Sequence, residues 1–471
     1  MTSAAKNPPP LRGLGVCAHL DRRNQGWKAE DLIPLMRRMG VSLIREGVDW
    51  GAVEQTRGSY RVPDVTRDWL ERAWDAGMSV ILVLCYGNDR YENPLDPEAY
   101  ARYAAFVAKE FRGKPVLAYE IWNEPTNFGI LRAYGGSWSG KAPCPWLDRY
   151  AELTALAAPA IKEADPQAKV IVNPGEAQFG HMVQDHPESL AAVDGVSHHP
   201  YSMRFPPETA AWGGPQIRQR DGIDSADDDH SFLSIWRITQ ERCRQRLGRE
   251  LDLHVTEYGY TTYNAHRKPA IFAGYTETAQ AAYLVRGIVL GFAAGLQSFC
   301  LYDFMDDGVD PYEAEDHFGM IRHEDRGLEP KPSFHAIRRL AAWLGSDWQY
   351  VADPPLRLEV PMKPLPQNQD LWQTPVVEPH LRITAPQMFC FRTGADFVTL
   401  FWRGGRISGE YNDPLGDLAW TEGGRTVQVT AAEDLVTGQA LAASVQNQEG
   451  RWRLSDLPVG GHPVAVRWRS A

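Results

Sequence analysis

The sequence predicts an α/β chain built as a (β/α)8 TIM barrel with a C-terminal β-sandwich domain. Two observations carry this. From about residue 13 to 345, eight strand-like runs each lead into a helix-like one. Beyond about residue 346 the helical period gives way to short alternating runs separated by glycine pairs.

The strand segments are 13–20, 41–48, 79–87, 116–123, 169–174, 195–201, 251–259 and 297–304. Val80-Ile81-Leu82-Val83-Leu84 is the clearest, a continuous apolar run of the kind that burial on both faces of a parallel sheet selects. Between the strands, segments 29–39, 65–76, 97–111, 146–163, 232–247, 276–294 and 331–344 repeat apolar residues with the helical period. Gly40, Gly77 and Gly295 follow three of them where a left-handed C-cap is needed. The helix after the fifth strand is the weakest, since 182–193 is short and contains Pro187. A doubly wound open sheet is the competing architecture. In the C-terminal part, 397–402, 426–430 and 464–468 alternate like strands, with Gly404-Gly405, Gly423-Gly424 and Gly460-Gly461 as turns. The proline-rich stretch 354–375 reads as a strand-poor crossing or linker. The expected division is an extension at 1–12, the barrel at 13–345 and the sandwich at 346–471.

Composition narrows the function classes. A formal net charge of −11 disfavours a nucleic-acid backbone or an anionic membrane as partner. The six cysteines have neither CxxC nor finger spacing, so neither a metal finger nor a disulfide framework is expected. No stretch resembles a signal peptide or a membrane span. That points to the cytoplasm, or to a secreted or periplasmic chain whose leader has been removed. The oligomeric state is not legible.

The chemistry gathers at strand ends, where barrels place their reacting groups. The fourth strand ends Tyr119-Glu120-Ile121-Trp122-Asn123-Glu124-Pro125, and the seventh ends His254-Val255-Thr256-Glu257-Tyr258-Gly259. An apolar strand has little reason to finish in a carboxylate unless that group is used or paired. One such glutamate would be an ordinary loop charge; two, on strands four and seven, suit a pair of acid and nucleophile.

Trp122-Asn123-Glu124-Pro125 resembles the acid/base motif of clan A glycoside hydrolases, and Thr256-Glu257-Tyr258-Gly259 resembles their nucleophile motif. The likeness covers all eight barrel strands and is closest to glycoside hydrolase family 39, which also carries a β-sandwich. It implies a retaining glycosidase acting on β-linked oligo- or polysaccharides, with Glu124 as acid/base, Glu257 as nucleophile and no cofactor or metal. It implies that Arg45 bonds the nucleophile, although Arg45 also suits a structural partner for Glu46 or Glu120. Asn123 then meets the 2-hydroxyl of the cleaved sugar. His198-His199-Pro200-Tyr201 resembles the clan's His-x-Tyr element, which maps onto His199 and Tyr201, with His198 a packed neighbour. One departure is strand eight: Leu301-Tyr302-Asp303-Phe304 has Tyr302 where many members have the tryptophan that floors the first sugar subsite.

Softer candidates for sugar hydroxyls are His19 and Asp21 after strand one and Asn88 after strand three; each equally suits a loop polar group. Trp138, Trp146 and Trp212 lie in the long loops after strands four and six, as stacking platforms or as loop anchors. The acidic run from Asp306 to His317 reads as a solvated loop, with cation binding the alternative. Two rival functions remain at this level: a non-catalytic sugar-binding barrel, and a metal-dependent hydrolase using His19, Asp21, His198 and His199.

Overall fold

The computed structural model describes residues 7–267, 271–361, 370–371, 374–375, 385–407, 415–421, 426–448 and 451–470. Eight parallel strands close a barrel in chain order: β1 (Leu14–Cys17), β2 (Leu43–Asp49), β3 (Ser79–Cys85), β4 (Val116–Ile121), β5 (Val170–Val172), β6 (Gly195–His198), β7 (Asp252–Val255) and β8 (Ser298–Leu301). β8 pairs with β1, Leu14 opposite Phe299, and this closes the ring. The open doubly wound sheet is thereby excluded.

The outer layer contains α1 (Ala29–Met39), α2 (Asp64–Asp75), α3 (Pro97–Glu110), α4 (Pro145–Ala164), α5 (Glu176–Asp185), α6 (Phe232–Leu247), α7 (Glu277–Ala293) and α8 (Pro332–Leu344). Gly40 caps α1 with φ +97, a left-handed turn that an L side chain resists. The largest difference from expectation is α5. It begins at Glu176, ahead of the predicted 182–193, and Pro187 opens a separate 3₁₀ turn at Pro187–Leu190. The sequence Glu176-Ala177-Gln178-Phe179 starts at a strand end, where loop and helix residues look alike.

Strand alternation sets what the barrel encloses. Val16, Ile44, Val80, Tyr119, Val170 and Val196 belong to the large core beneath the helices. Their neighbours Cys17, Leu43, Ile81, Ala118, Ile171 and Cys300 fill the interior. Two residues on from Leu43 and Ala118, the inward positions become Arg45 and Glu120, and two on from Ile171 comes Asn173. The apolar filling thus gives way to a polar layer at the C-terminal mouth. All six cysteines are buried free thiols.

The described C-terminal part has two larger antiparallel sheets and a two-stranded pair, Asp370–Leu371 with Thr374–Pro375. One orders Val427–Asp434, Val464–Ser470, Asp396–Arg403, Pro386–Thr393 and Gln349–Val351; the other orders Leu356–Glu359, Leu415–Trp420, Arg451–Pro458 and Val445–Gln448. Period-two alternation gives the first sheet two apolar faces. Phe389, Phe391, Val398, Leu400 and Trp402 join the barrel's core, whereas Cys390, Phe401, Val466 and Trp468 meet Leu418, Trp420 and Leu454 of the second sheet. The stretch expected as a linker contains a real strand, Leu356–Glu359, paired with Leu415–Trp420. Most of the remainder of that stretch, and the Gly423-Gly424 turn, lie outside the described residues, as do residues 1–6 of the expected extension.

Candidate active site

The polar layer is organised around two side chains that point into the barrel. Arg45, 6% exposed, donates from Nε to Glu120 (2.7 Å), from Nη1 to Glu257 (2.7 Å) and from Nη2 to Asn123 Oδ1 (2.8 Å). A guanidinium has only donors, so this contact fixes the orientation of the Asn123 amide. Its Nδ2 then donates to Tyr86 Oη at 3.0 Å, with a second hydrogen to spare. Glu120 is fully buried and also accepts from the hydroxyls of Ser197 (2.5 Å) and Thr256 (2.7 Å). Burial alone would raise its pKa. The charge of Arg45, then that of His199, and the two hydroxyl bonds hold it below the ordinary carboxylate value.

Glu124 follows β4 on a strained backbone, with φ +63 at Trp122 and φ +41 at Glu124. Non-glycine residues in this region store about 1–3 kcal/mol each and persist only where their surroundings overdetermine them. Here the Trp122 amide donates to Leu84 O (3.1 Å), its indole donates to Phe128 O (2.9 Å), and Tyr150 Oη donates to Ile121 O (2.8 Å). The strained turn brings Glu124 Oε1 within 2.7 Å of His199 Nδ1, while Asn127 Nδ2 donates to Oε2 at 2.8 Å. His199 Nε2 lies 3.0 Å from Thr256 Oγ1. That hydroxyl gives its proton to Glu120, so it accepts from His199, and Nε2 carries a hydrogen. The other imidazole nitrogen and Glu124 therefore share a single proton.

Glu257 accepts from Arg45 and from Tyr201 Oη (3.1 Å). Single ligating atoms of Glu124, His199 and Glu257 lie within 4.8 Å of one another. Burial opposes an imidazolium at His199, yet the facing Glu257 and the bond to Glu124 raise its pKa above the ordinary 6.5. Burial likewise works to raise Glu124, but the His199 bond and charge hold it below 4.5. These groups border a cleft of about 720 Å³ also lined by His19, Tyr86, Phe128, Trp138, Glu176, Trp212, Phe272, Tyr302 and Glu315.

The sequence matches the family model described as cellulase (glycosyl hydrolase family 5) over residues 3–285, more than half of the chain. The chain belongs to that family. It is thus a clan A glycosidase, as the motifs imply. The fold is similar to that of a family 39 glycoside hydrolase from the gut symbiont Bacteroides cellulosilyticus WH2. The TM-score is 0.63 at 21% identity, covering 97% of this chain and 81% of that one. A family 30 endoxylanase from Clostridium papyrosolvens C71 has a TM-score of 0.55 at 11% identity, covering 99% of this chain and 98% of that one. No curated protein matches the sequence.

In this family 5 glycosidase the residues singled out in the sequence fall into two groups. Glu124, Glu257, Asn123, Arg45, His199 and Tyr201 meet in one hydrogen-bonded cluster, and His19 and Tyr302 reach the cleft wall. Asn88 is not brought there. It is buried, donating to Glu54 O (3.2 Å) and accepting from the Arg90 amide (3.1 Å), so it shapes its own loop. Asp21 is taken by Thr66 and Trp69. Trp146 is fully buried and donates to Ser137 O, an anchor rather than a platform, whereas Trp138 and Trp212 line the cleft. His198 points outward between Phe179 and Trp236. The four ligands of the metal-hydrolase alternative therefore do not converge. Arg45 turns out to bridge Glu120 and Glu257 together, without Glu46.

Sequence reasoning passed over Glu176 and Glu315, both in the cleft wall. Burial, the first cause in each, raises both to about 7. It also passed over Asn127, Ser197, Asn173 and Thr256. The inward register two residues beyond an apolar interior position is a usable signal for Glu120 and Asn173, but Glu176 opens α5 and Glu315 opens a short 3₁₀ turn, where no strand period reaches.

Proposed function

We propose that this enzyme hydrolyses β-linked, electrically neutral oligo- or polysaccharides with retention, by double displacement. The observation that supports it is that one carboxylate oxygen of Glu124 and one of Glu257 lie within 4.8 Å of each other. Retaining enzymes hold their carboxyls about 5–5.5 Å apart, and inverting ones leave about 6.5–9.5 Å for a water. In this reading Glu257, with Arg45 and Tyr201 donating to its oxygens, attacks the anomeric carbon. Glu124 passes the proton it shares with His199 to the departing oxygen. In the second step Glu124 takes a proton from water as that water displaces Glu257. The remaining Asn123 Nδ2 hydrogen is available to the 2-hydroxyl, a contact that strengthens in such transition states.

Neutral sugars suit the cleft because Glu124, Glu176, Glu257 and Glu315 all face it, and a uronic carboxylate would be desolvated against them. A panel of aryl glycosides and oligosaccharides tests the reading on wild type, Glu257→Ala and Glu124→Ala. Glu257→Ala is expected to be inactive, and azide to restore turnover of an activated aryl glycoside by Glu124→Ala. Neutral glycosides should exceed the matching uronides in kcat/KM by about tenfold or more, a difference of ~1.4 kcal/mol. Wild-type rates in both variants would remove the two glutamates from the reaction. Tight glycan binding without turnover by wild type would favour the sugar-binding alternative.

A further inference from the structure

Beside the cleft, and outside the residues assigned to the reaction, three side chains converge from two strand ends. His19 follows β1, Asp303 and Asp307 follow β8, and one ligating atom of each lies within 4.8 Å of the other two. Asp303 is fully buried, and no described donor reaches either of its carboxylate oxygens. His19 Nε2 is also enclosed without a partner, 4.0 Å from Asp307 Oδ2. Trp27 holds two of the three groups in place. Its indole donates to Asp307 Oδ1 at 3.0 Å, leaving Oδ2 uncommitted, and packs edge-on against the His19 ring at 5.0 Å.

Such an arrangement is unfavourable unless something positive completes it. A carboxylate taken from water without a donor loses several kcal/mol of solvation. The buried ammonium nearby, Lys331, is engaged by Asp306 at 2.6 Å. A proton on Asp303 would cancel the charge and still leave both oxygens unpaired.

We propose that His19, Asp303 and Asp307 bind one divalent transition-metal cation of the Zn2+ or Mn2+ type, joining the end of β1 to the end of β8 beside Tyr302. One imidazole with two carboxylates suits these ions, and the nitrogen donor weighs against Ca2+ and Mg2+. Two donors opposite each other across such an ion stand about 4.2 Å apart, so the trio closes on it with small movements. Three protein ligands leave positions for water or a sugar hydroxyl. The site lies outside the hydrolytic pair, and no step of the hydrolysis is routed through it.

The test uses the full chain, stripped with a chelator and titrated with Co2+ by visible absorption, then with Zn2+ in competition. Wild type is expected to bind one equivalent of Co2+, to show a ligand-field band that Zn2+ abolishes, and to gain thermal stability with Zn2+. Losing a group that merely supports a metal ligand weakens binding 10–100-fold, so Asp303→Asn and His19→Gln should each weaken Co2+ by at least about 100-fold. Glu257→Gln should leave the metal affinity in place. Absence of stoichiometric Co2+ and Zn2+ binding by wild type overturns the proposal. So does binding that survives His19→Gln or Asp303→Asn but disappears in Glu257→Gln, which would place the ion on Glu124, His199 and Glu257. Should Asp303→Asn fail to fold, His19→Gln and the wild-type spectrum decide the matter.

Discussion

At the scale of single residues, the proposed acid Glu124 and its partner His199 set the expected pH dependence. Fully protonated, the pair binds two protons; the proposed acid needs one, held between Nδ1 and Oε1. The first proton leaves below the ordinary glutamate value, because His199 holds Glu124 down against burial. The second leaves above 6.5, because Glu257 and Glu124 hold His199 up against burial. The one-proton form therefore spans the interval between, and activity falls as pH rises through the higher step. These are properties of the pair rather than of either group alone. His199→Asn keeps a hydrogen-bonding group and removes the second titration. The basic limb of kcat/KM should then move to lower pH by about one unit, as the remaining carboxyl starts from a lower intrinsic value than imidazole. A basic limb unchanged in a full pH profile of this variant would show that His199 does not share the proton.

At the scale of elements, each strand end delivers one part of the site, and the legibility of those parts differed. β4 and β7 are readable because strand-like runs stop at Asn123-Glu124 and Thr256-Glu257. β2 was readable because a charged Arg45 inside Leu43–Asp49 has to meet something when it points inward. Asn88 stays open between two readings in the sequence for the opposite reason: beyond β3 the chain turns into a loop, and nothing in its spacing says which way a polar side chain faces. Glu176 was hidden because α5 starts earlier than its pattern suggests. The tryptophans divided likewise, since aromatic content cannot separate the fully buried Trp146 from Trp138, which is 41% exposed. Trp138 and Trp212 come from the loops after β4 and β6 and approach to 5.9 Å between ring centres. Replacing either by alanine should raise KM for an oligosaccharide by about threefold to tenfold, in line with ~0.5–1.5 kcal/mol per aromatic contact. The same replacement should change KM for a small aryl monoglycoside much less, and equal effects on both substrates would count against a platform role.

At the scale of the whole molecule, the sandwich braces the barrel through a buried ion pair. Glu208, in the loop after β6, accepts from Arg286 of α7 at Nε (2.9 Å) and Nη2 (2.5 Å) and from the Trp402 indole (2.7 Å) of the sandwich. Arg286 also donates to Gly405 O at 3.0 Å. Removing one partner of such a pair strands the other charge, so Glu208→Ala should lower unfolding stability by about 3–5 kcal/mol in urea titrations. Pairing it with Arg286→Met should recover much of that loss, since no buried charge then remains. Ending the chain at Gly345 takes away Trp402 together with the apolar face of Phe389, Phe391, Val398 and Leu400. The truncated protein is expected to aggregate or to lose activity; a soluble barrel with full activity would refute a structural role for the sandwich.

The same brace bears on when the enzyme becomes competent during its synthesis. Domains emerge from the ribosome N-terminal part first. Glu208 and Arg286 leave well before Trp402 and Gly405, yet the loop that carries Trp212 to the cleft is tied down by all four. A nascent chain can pair its barrel strands and still lack a finished cleft wall. Competence is therefore expected only after residues as far as Gly405 have emerged, and chains ended before them should lack activity.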